Sequence, residues 1–270
     1  TNIGDSLVVM EGVLLASTSG EAVGGLGFND ITLAIYGIVS SDARLGFLGT
    51  GAYVHIGRSG SYTTNATTTA LLLLEGANGV LVNEGSMTSR SARGVWLGEN
   101  GALQNTGLIS GRDGVYIFSA SYNARVTNSG TIHGNSVSDD PGSTDTNNGI
   151  YVEASDALIT NLDGGTISSD GLNGAGIRFD AVSGGGLVLN HGMISATQAI
   201  GVSLDAVYNG QGVIEVQNFG TIQGAGGAYT GSTNADLLVN RGLMLGDVLM
   251  GNGNDTFDAR AGRVEGDIDL

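Results

Sequence analysis

The chain has 270 residues, with 48 glycines, one proline, no cysteine and no lysine, and its net charge is −16. This charge disfavours nucleic acid and anionic membranes as partners, because both would repel it, and the absence of cysteine excludes a disulfide framework. A hydrophobic fraction of 41% argues against disorder, so we expect the glycines to occupy the turns of a tightly folded β architecture.

The chain carries no obvious targeting or membrane signal. No apolar run approaches the roughly 18 residues that span a bilayer, so we expect no membrane insertion by this segment. The sequence begins at Thr1 without a methionine or a signal segment, which favours a processed or excised fragment. An acidic surface without lysine suits solubility at high ionic strength and offers carboxylates to divalent cations, which suggests a marine or secreted setting; compositional bias of the source genome is the alternative.

A repeated phrase organises the chain: Asn, any residue, Gly, any residue, then an apolar residue. The N-terminal third keeps the Gly but drops the Asn, at Met10–Leu14, Ile35–Val39 and Arg58–Tyr62. Seven later phrases begin at Asn83, Asn105, Asn128, Asn161, Asn190, Asn218 and Asn240. Successive phrases lie 22 to 33 residues apart. Each unit is therefore predicted to form one turn of a solenoid, here called a coil.

Each unit contains three short apolar runs, for example Gly114–Ile117, Ala124–Val126 and Gly130–Ile132. Runs of this length between Gly and Asn are typical of strands, and no window has a capped helical pattern. We therefore predict an all-β, single-domain (1–270), right-handed parallel β-helix, a single-stranded β-solenoid of about nine coils of 22–30 residues with three strands each. The repeated Asn is predicted to lie in a turn, in the left-handed conformation, with its side chain hydrogen-bonded to backbone amides in a ladder.

The longest unit holds a polar, acidic segment at 135–148 that includes the only proline, Pro141. We expect it to form a loop that protrudes from the rod. Function in solenoids often lies in such insertions, although a solvated loop without a role would have the same composition.

The phrase Asn128-Ser-Gly-Thr-Ile132, spread over units of this length, resembles the β-strand repeats of bacterial autotransporter passenger domains and related surface proteins. The match is clear over residues 80–270, whereas the first 80 residues share only the spacing of the repeats. The resemblance implies a β-helical stalk exported to the exterior of the bacterial outer membrane, where it serves adhesion, aggregation or display. The Gly-Asp-Ser-Gly protease signature of some members is absent, so a protease role is not implied.

A second, local resemblance is in the predicted terminal coil, 245–270. Gly251-Asn-Gly-Asn-Asp-Thr-Phe-Asp258 is similar to the glycine-rich calcium motif of secreted RTX proteins. It implies Gly251, Gly253 and Asp255 as calcium ligands and Phe257 as the inward apolar residue. Met250 stands where the first glycine belongs, and only one copy is present, so an ordinary turn is the alternative.

Catalytic groups are few. The three histidines lack metal-like spacing, and no Ser/His/Asp set can be argued from sequence. The candidates for glycan cleavage are Asp180 and Asp205, which follow equivalent predicted strands, with Arg178 nearby; stacked coils would bring the two carboxylates within ~5 Å. Glu153 takes the same place one coil earlier, so an acidic ladder facing solvent is the alternative.

These observations favour a non-catalytic, adhesive or structural module of a secreted or surface-displayed bacterial protein. The expected partner is a cell-surface glycan, a protein receptor or a second copy of the chain, since exposed solenoid ends promote self-association. A polysaccharide-binding or polysaccharide-cleaving enzyme is the first alternative, and a calcium-binding RTX-like protein is the second.

Overall fold

The computed structural model describes residues 4–23, 29–43, 46–64, 70–135, 147–182, 184–207 and 212–270. In these ranges the regular secondary structure is β-strand, arranged as three sheets in which every strand pairs in parallel with its copies in neighbouring coils. Within the same ranges there is no helix long and apolar enough to cross a membrane.

The three sheets follow one another around each coil. Sheet 1 contains β1 (Ser6–Val9), β3 (Thr32–Ile35), β6 (Tyr53–Ile56), β9 (Val80–Asn83), β12 (Ala102–Asn105), β15 (Arg125–Asn128), β18 (Ala157–Asn161), β21 (Gly186–Asn190), β24 (Ile214–Asn218), β27 (Asp236–Asn240) and β30 (Thr256–Asp258). Sheet 2 contains β2 (Leu14–Ser17), β4 (Ile38–Ser41), β7 (Ser61–Thr64), β10 (Ser86–Ser89), β13 (Leu108–Gly111), β16 (Thr131–Gly134), β19 (Thr166–Ser169), β22 (Met193–Ala196), β25 (Thr221–Gly224), β28 (Leu243–Leu245) and β31 (Arg263–Glu265). Sheet 3 contains β5 (Gly46–Leu48), β8 (Ala70–Leu74), β11 (Arg93–Leu97), β14 (Val115–Ile117), β17 (Ile150–Val152), β20 (Ile177–Val182), β23 (Ile200–Val207), β26 (Gly227–Thr230), β29 (Val248–Leu249) and β32 (Ile268–Asp269).

This arrangement confirms the predicted parallel β-solenoid with three strands per coil. Sheets 1 and 2 each have 11 strands and sheet 3 has 10, which corresponds to about ten turns rather than nine. The difference arises because the repeated phrase marks the corner between sheets 1 and 2. Strands that precede the first phrase or follow the last one, such as β1 and β32, therefore add to the count.

The core is built from inward side chains that stack directly on their equivalents in the next coil. In sheet 2 this column is continuous and fully buried: Val39, Tyr62, Met87, Ile109, Ile132, Ile167, Ile194, Ile222 and Met244. Strand alternation turns every second side chain inward, and burying each one contributes roughly 1.5–3 kcal/mol. The rod is thus stabilised coil by coil.

The repeated Asn forms a buried ladder. Each Asn ends a strand of sheet 1, and each is almost completely inaccessible to solvent. The side-chain Nδ2 of one Asn donates to the Oδ1 of the next, over 2.7–2.9 Å, from Asn83 through Asn105, Asn128, Asn161, Asn190 and Asn218 to Asn240. Each Nδ2 also donates to a backbone carbonyl, as Asn161 does to Gly165 at 3.1 Å. A ladder is therefore present, but bonds between side chains and to backbone carbonyls largely take the place of the predicted bonds to backbone amides.

The left-handed conformation predicted for these Asn residues was wrong. Left-handed residues occupy another corner, just before the strands of sheet 1: Asp30, Asn78, Asn100, Asn123 and Asp156, with φ between 49° and 61°. That corner turns the chain tightly and requires a positive φ, a conformation that Asn and Asp adopt more readily than other residues with a side chain. The ladder Asn instead continues the extended strand, which aims its amide inward.

The repeated Gly of the phrase is required by close packing between coils. A Cβ added to Gly130 would lie 2.2 Å from the Gly107 carbonyl oxygen, and one added to Gly107 would lie 2.1 Å from that of Gly85. Any side chain would force the coils apart at this corner, which explains why Gly persists where the Asn is absent.

The predicted protruding loop falls mostly outside the described residues, since 136–146 are not among them, Pro141 included. Its two bases are held to the rod. Asn135 Nδ2 donates to the Ser89 carbonyl at 2.8 Å, and Asn148 N donates to Asp113 Oδ1 at 2.9 Å.

Candidate functional site

A row of large side chains runs along the outward face of sheet 3. Register pairs Trp96 with Tyr116, Tyr116 with Tyr151, and Tyr151 with Arg178, on four successive coils. Their strand neighbours, such as Val95 and Leu97, are buried, so alternation turns the row outward. We call Trp96, Tyr116, Tyr151 and the adjacent Phe118 the aromatic row.

The rings of the aromatic row contact one another. Trp96 meets Tyr116 edge-on, with centroids 4.7 Å apart, and lies 5.1 Å from Phe118. Tyr116 stacks on Tyr151 with centroids 5.5 Å apart and an interplanar angle of 24°. Tyr116 is buried, whereas Trp96, Phe118 and Tyr151 are half-buried. The row therefore presents a ridged, partly apolar surface to solvent.

The tyrosine hydroxyls on this face donate hydrogen bonds to carboxylates of the next coil toward the C-terminus. Tyr116 Oη donates to Glu153 Oε2 at 2.6 Å, and Tyr151 Oη donates to Asp180 Oδ2 at 3.1 Å. Burial, and then the nearby carboxylates, raise the pKa of both phenols well above the usual value. The two hydroxyls are thus held in the protonated, donating form.

Arg178 continues the same pattern by forming an ion pair with Asp205. Ser203, which faces Arg178 in register, also donates to this carboxylate. Glu153, Asp180 and Asp205, which the sequence suggested as a catalytic pair or as a solvated acidic ladder, therefore each accept a bond from a side chain in the preceding coil.

A second guanidinium covers the middle of the row. Arg93 Cζ lies 3.8 Å from the Tyr116 ring centroid, and its Nε donates to the buried Asp113 at 2.9 Å. This cation–π contact and the ion pair hold Arg93 against one face of Tyr116, and the guanidinium also lies 5.7 Å from the Trp96 centroid and 6.0 Å from the Tyr151 centroid. Trp96 and Tyr151 keep more solvent exposure than Tyr116.

The row ends in a cleft of about 550 Å³ that Arg178, Ser203 and Asp205 line together with Asn173 and Gln198. Arg178 Nη1 donates to the Asn173 carbonyl at 3.4 Å. Arg178 Nε is buried and has no hydrogen-bond partner in the described part of the chain. The cleft therefore offers charged and amide groups whose positions the rod fixes.

The structure brings Arg178 and Asp205 together but separates the two predicted carboxylates in register. A bulge after Phe179 pairs Asp180 with Ala206 rather than with Asp205, so the two carboxylates are not at equivalent positions of stacked coils. Bulges bend strands and redirect side chains; here the bulge sends Asp205 toward Arg178 while Asp180 bonds to Tyr151.

The predicted calcium ligands lie together at the last coils. Gly251 and Gly253 have φ of 88° and 152°, and with Asp255 they line a cleft of about 670 Å³. Asp255 Oδ1 accepts a bond from Asp236 N at 2.9 Å, and Phe257 packs against the core as the resemblance implied. The described residues contain no group of three or more His, Cys, Asp or Glu side chains suited to a metal. Calcium stays a prediction at this site.

The aromatic row is not among the sequence-based predictions, because these do not compare the aromatic positions between units. The signal was available: Trp96, Tyr116, Tyr151 and Arg178 all stand two residues after the glycine that opens the run equivalent to Gly114–Ile117. Aligning the units on that glycine, instead of counting aromatics, would have placed them in one column.

Comparison with known proteins adds nothing to this geometry. No protein-family model, curated protein or solved structure matches the chain. The function must therefore be argued from the fold and from the face of sheet 3.

Proposed function

We propose that this chain is an extracellular, non-catalytic module of a bacterial surface protein that adheres to a neutral glycan through the outward face of sheet 3. The observation that carries the proposal is the aromatic row, which lies along the rod axis on successive coils. The autotransporter-like repeat supports the surface location.

The row suits a sugar chain because its elements repeat at the coil spacing of ~4.8 Å, which is comparable with the length of one sugar unit. Aromatic faces pack against the apolar face of a sugar ring, and a few fixed polar groups orient it. Here Tyr151, Glu153 and Asp180 are already bonded or stacked in place. Little side-chain entropy would be lost when a glycan binds.

Charge favours a neutral ligand. The chain carries −16 overall, and the two arginines on this face pair with Asp113 and Asp205. An acidic polysaccharide would meet net repulsion from the acidic chain.

The enzymatic alternative has less support. Glycan cleavage by acid–base chemistry needs two carboxylates placed on either side of one bond. Asp205 is instead engaged by Arg178 and Ser203, and Asp180 is engaged by Tyr151. These contacts favour positioning of a ligand over proton transfer.

The test uses the fluorescence of Trp96, the only tryptophan. We expect soluble neutral polysaccharides, such as a β-glucan, a galactomannan and a dextran, to include at least one that changes this emission and retards the protein in affinity electrophoresis. Tyr151→Ala should weaken retardation, whereas Tyr53→Ala, which removes an exposed aromatic from sheet 1, should not.

Two results would overturn the proposal. Equal binding by the two variants would remove the aromatic row from the site, and no retardation by any glycan would leave a protein receptor or self-association as the partner. Release of new reducing ends or unsaturated products during incubation would favour the enzyme instead.

A further inference from the structure

A serine, a histidine and an aspartate from neighbouring coils meet on the outward face of sheet 2, a different sheet from the one that carries the aromatic row. Register pairs His133 of β16 with Ser168 of β19. Ser168 Oγ lies 2.9 Å from His133 Nδ1, and Asp170 Oδ2 lies 3.3 Å from His133 Nε2. This is the hydrogen-bond order of a nucleophile, a base and a group that orients the base.

The arrangement selects one tautomer of the histidine. A carboxylate at Nε2 favours a proton on that nitrogen, which leaves Nδ1 as the acceptor for the Ser168 hydroxyl. Asp170 is itself fixed, because Thr197 Oγ1 donates to its Oδ1 at 3.3 Å. His133 is about a quarter exposed and Asp170 half exposed, so a solution reagent can reach the site.

We propose that Ser168 is a nucleophile that accepts an acyl group from an activated ester, with His133 as its general base and Asp170 as a positioning residue. Ser168 Oγ attacks the ester carbonyl carbon while its proton passes to His133 Nδ1. The bond from carbon to the leaving oxygen then breaks, and that oxygen takes the proton from His133. The products are O-acyl-Ser168 and a free alcohol or phenol.

The sheet restricts the substrate class. Backbone amides beside Ser168 belong to the parallel ladder, since Thr166 N donates to the Gly130 carbonyl at 2.8 Å and Asp170 N to the Gly134 carbonyl at 3.0 Å. They are not offered to a developing oxyanion, which is the largest source of stabilisation in amide hydrolysis. The site therefore suits esters with good leaving groups, not peptides.

A binding surface for the acyl donor lies one coil further on. A cleft of about 370 Å³ is lined by Ala196, Thr197, Ala225 and Leu245, among others, and Thr197 is the residue that bonds to Asp170. Gln223 and Gly224 complete the lining, so small apolar side chains and polar groups together offer room for a short acyl group.

The experiment is acetylation of the whole chain by 4-nitrophenyl acetate, followed by phenolate release, intact mass and peptide mapping. The background is low because the chain has no lysine and no cysteine. We expect one acetyl group on Ser168, none at this position in Ser168→Ala, and acetylation about a hundredfold slower in His133→Gln. Asp170→Asn should slow acetylation while leaving circular dichroism and thermal unfolding unchanged.

Ser110→Ala is the matched control. Ser110 faces His133 from the other side in register, but the Nδ1 contact goes to Ser168. Acetylation that is equally fast in Ser168→Ala, or that spreads over several hydroxyls, would overturn the proposal. Because sheet 2 carries this site and sheet 3 the aromatic row, failure of one proposal leaves the other standing.

Discussion

Removing one amide from the middle of the Asn ladder should cost about twice as much stability as removing one from its beginning. Asn161→Ala deletes four hydrogen bonds: those from Nδ2 to Asn190 Oδ1, the Gly165 carbonyl and the Met193 carbonyl, and the bond accepted from Asn128. At about 1 kcal/mol for each bond, the expected loss is about 4 kcal/mol.

Asn83→Ala deletes only two bonds, to Asn105 Oδ1 and the Leu108 carbonyl. Its Oδ1 has no partner in the described part of the chain, because Ile56 occupies the equivalent position in the preceding coil. The expected loss is about 2 kcal/mol. Each substitution leaves one buried Oδ1 in the next coil without its side-chain donor. The resulting loss of stability is the same for both variants, so it cancels when their free energies of unfolding are compared.

The assay is equilibrium unfolding in guanidinium, followed by circular dichroism and by Trp96 fluorescence. Coincident transitions would show that the rod unfolds as a unit and that the two free energies can be compared. Asn254→Ala, an exposed Asn outside the ladder, should change stability by less than about 0.5 kcal/mol. Equal losses for the middle and first rungs would refute the bond-by-bond reasoning.

Three further predictions concern packing, pH and calcium. Gly130→Ala should destabilise the rod by about 3 kcal/mol through overpacking, whereas Gly20→Ala, where an added Cβ meets nothing within 4 Å, should be close to neutral in the same unfolding assay. The pKa values of Tyr116 and Tyr151 are raised in the folded state, so above pH ~10 only the unfolded chain releases these protons. Stability should be complete below that pH and fall above it, and the share of phenolate absorbance that Tyr116→Phe and Tyr151→Phe remove should appear only together with loss of the β spectrum. If the RTX-like motif binds calcium, millimolar calcium should raise Tm and Asp255→Asn should abolish the rise; an unchanged Tm in the parent chain would remove calcium from this site.

The fold could be predicted because its information is local and repeated. The close contact at glycines such as Gly107 and Gly130, and the inward column that passes through Ile109 and Ile132, impose the same short pattern on every coil. Periodicity alone therefore indicates three parallel sheets.

The candidate sites depend on alignment between coils of unequal length, and this is where sequence reasoning was weaker. Ser168 lies 35 residues from His133 because the long loop intervenes, so no fixed spacing announces the contact. The bulge after Phe179 shifts Asp180 out of line with Asp205, and a repeat pattern does not reveal such a shift.

The buried Asn column gives the rod a net dipole along its axis. All six links have the donor in one coil and the acceptor in the next toward the C-terminus, so the amide dipoles point the same way. Seven aligned amides at about 3.5 D each would sum to roughly 25 D, comparable in kind to the dipole of a helix. Its positive end faces the last coils, where Asp267 and Asp269 lie. The two ends of this stack are therefore electrostatically distinct, which would favour head-to-tail over head-to-head contact between neighbouring solenoid segments.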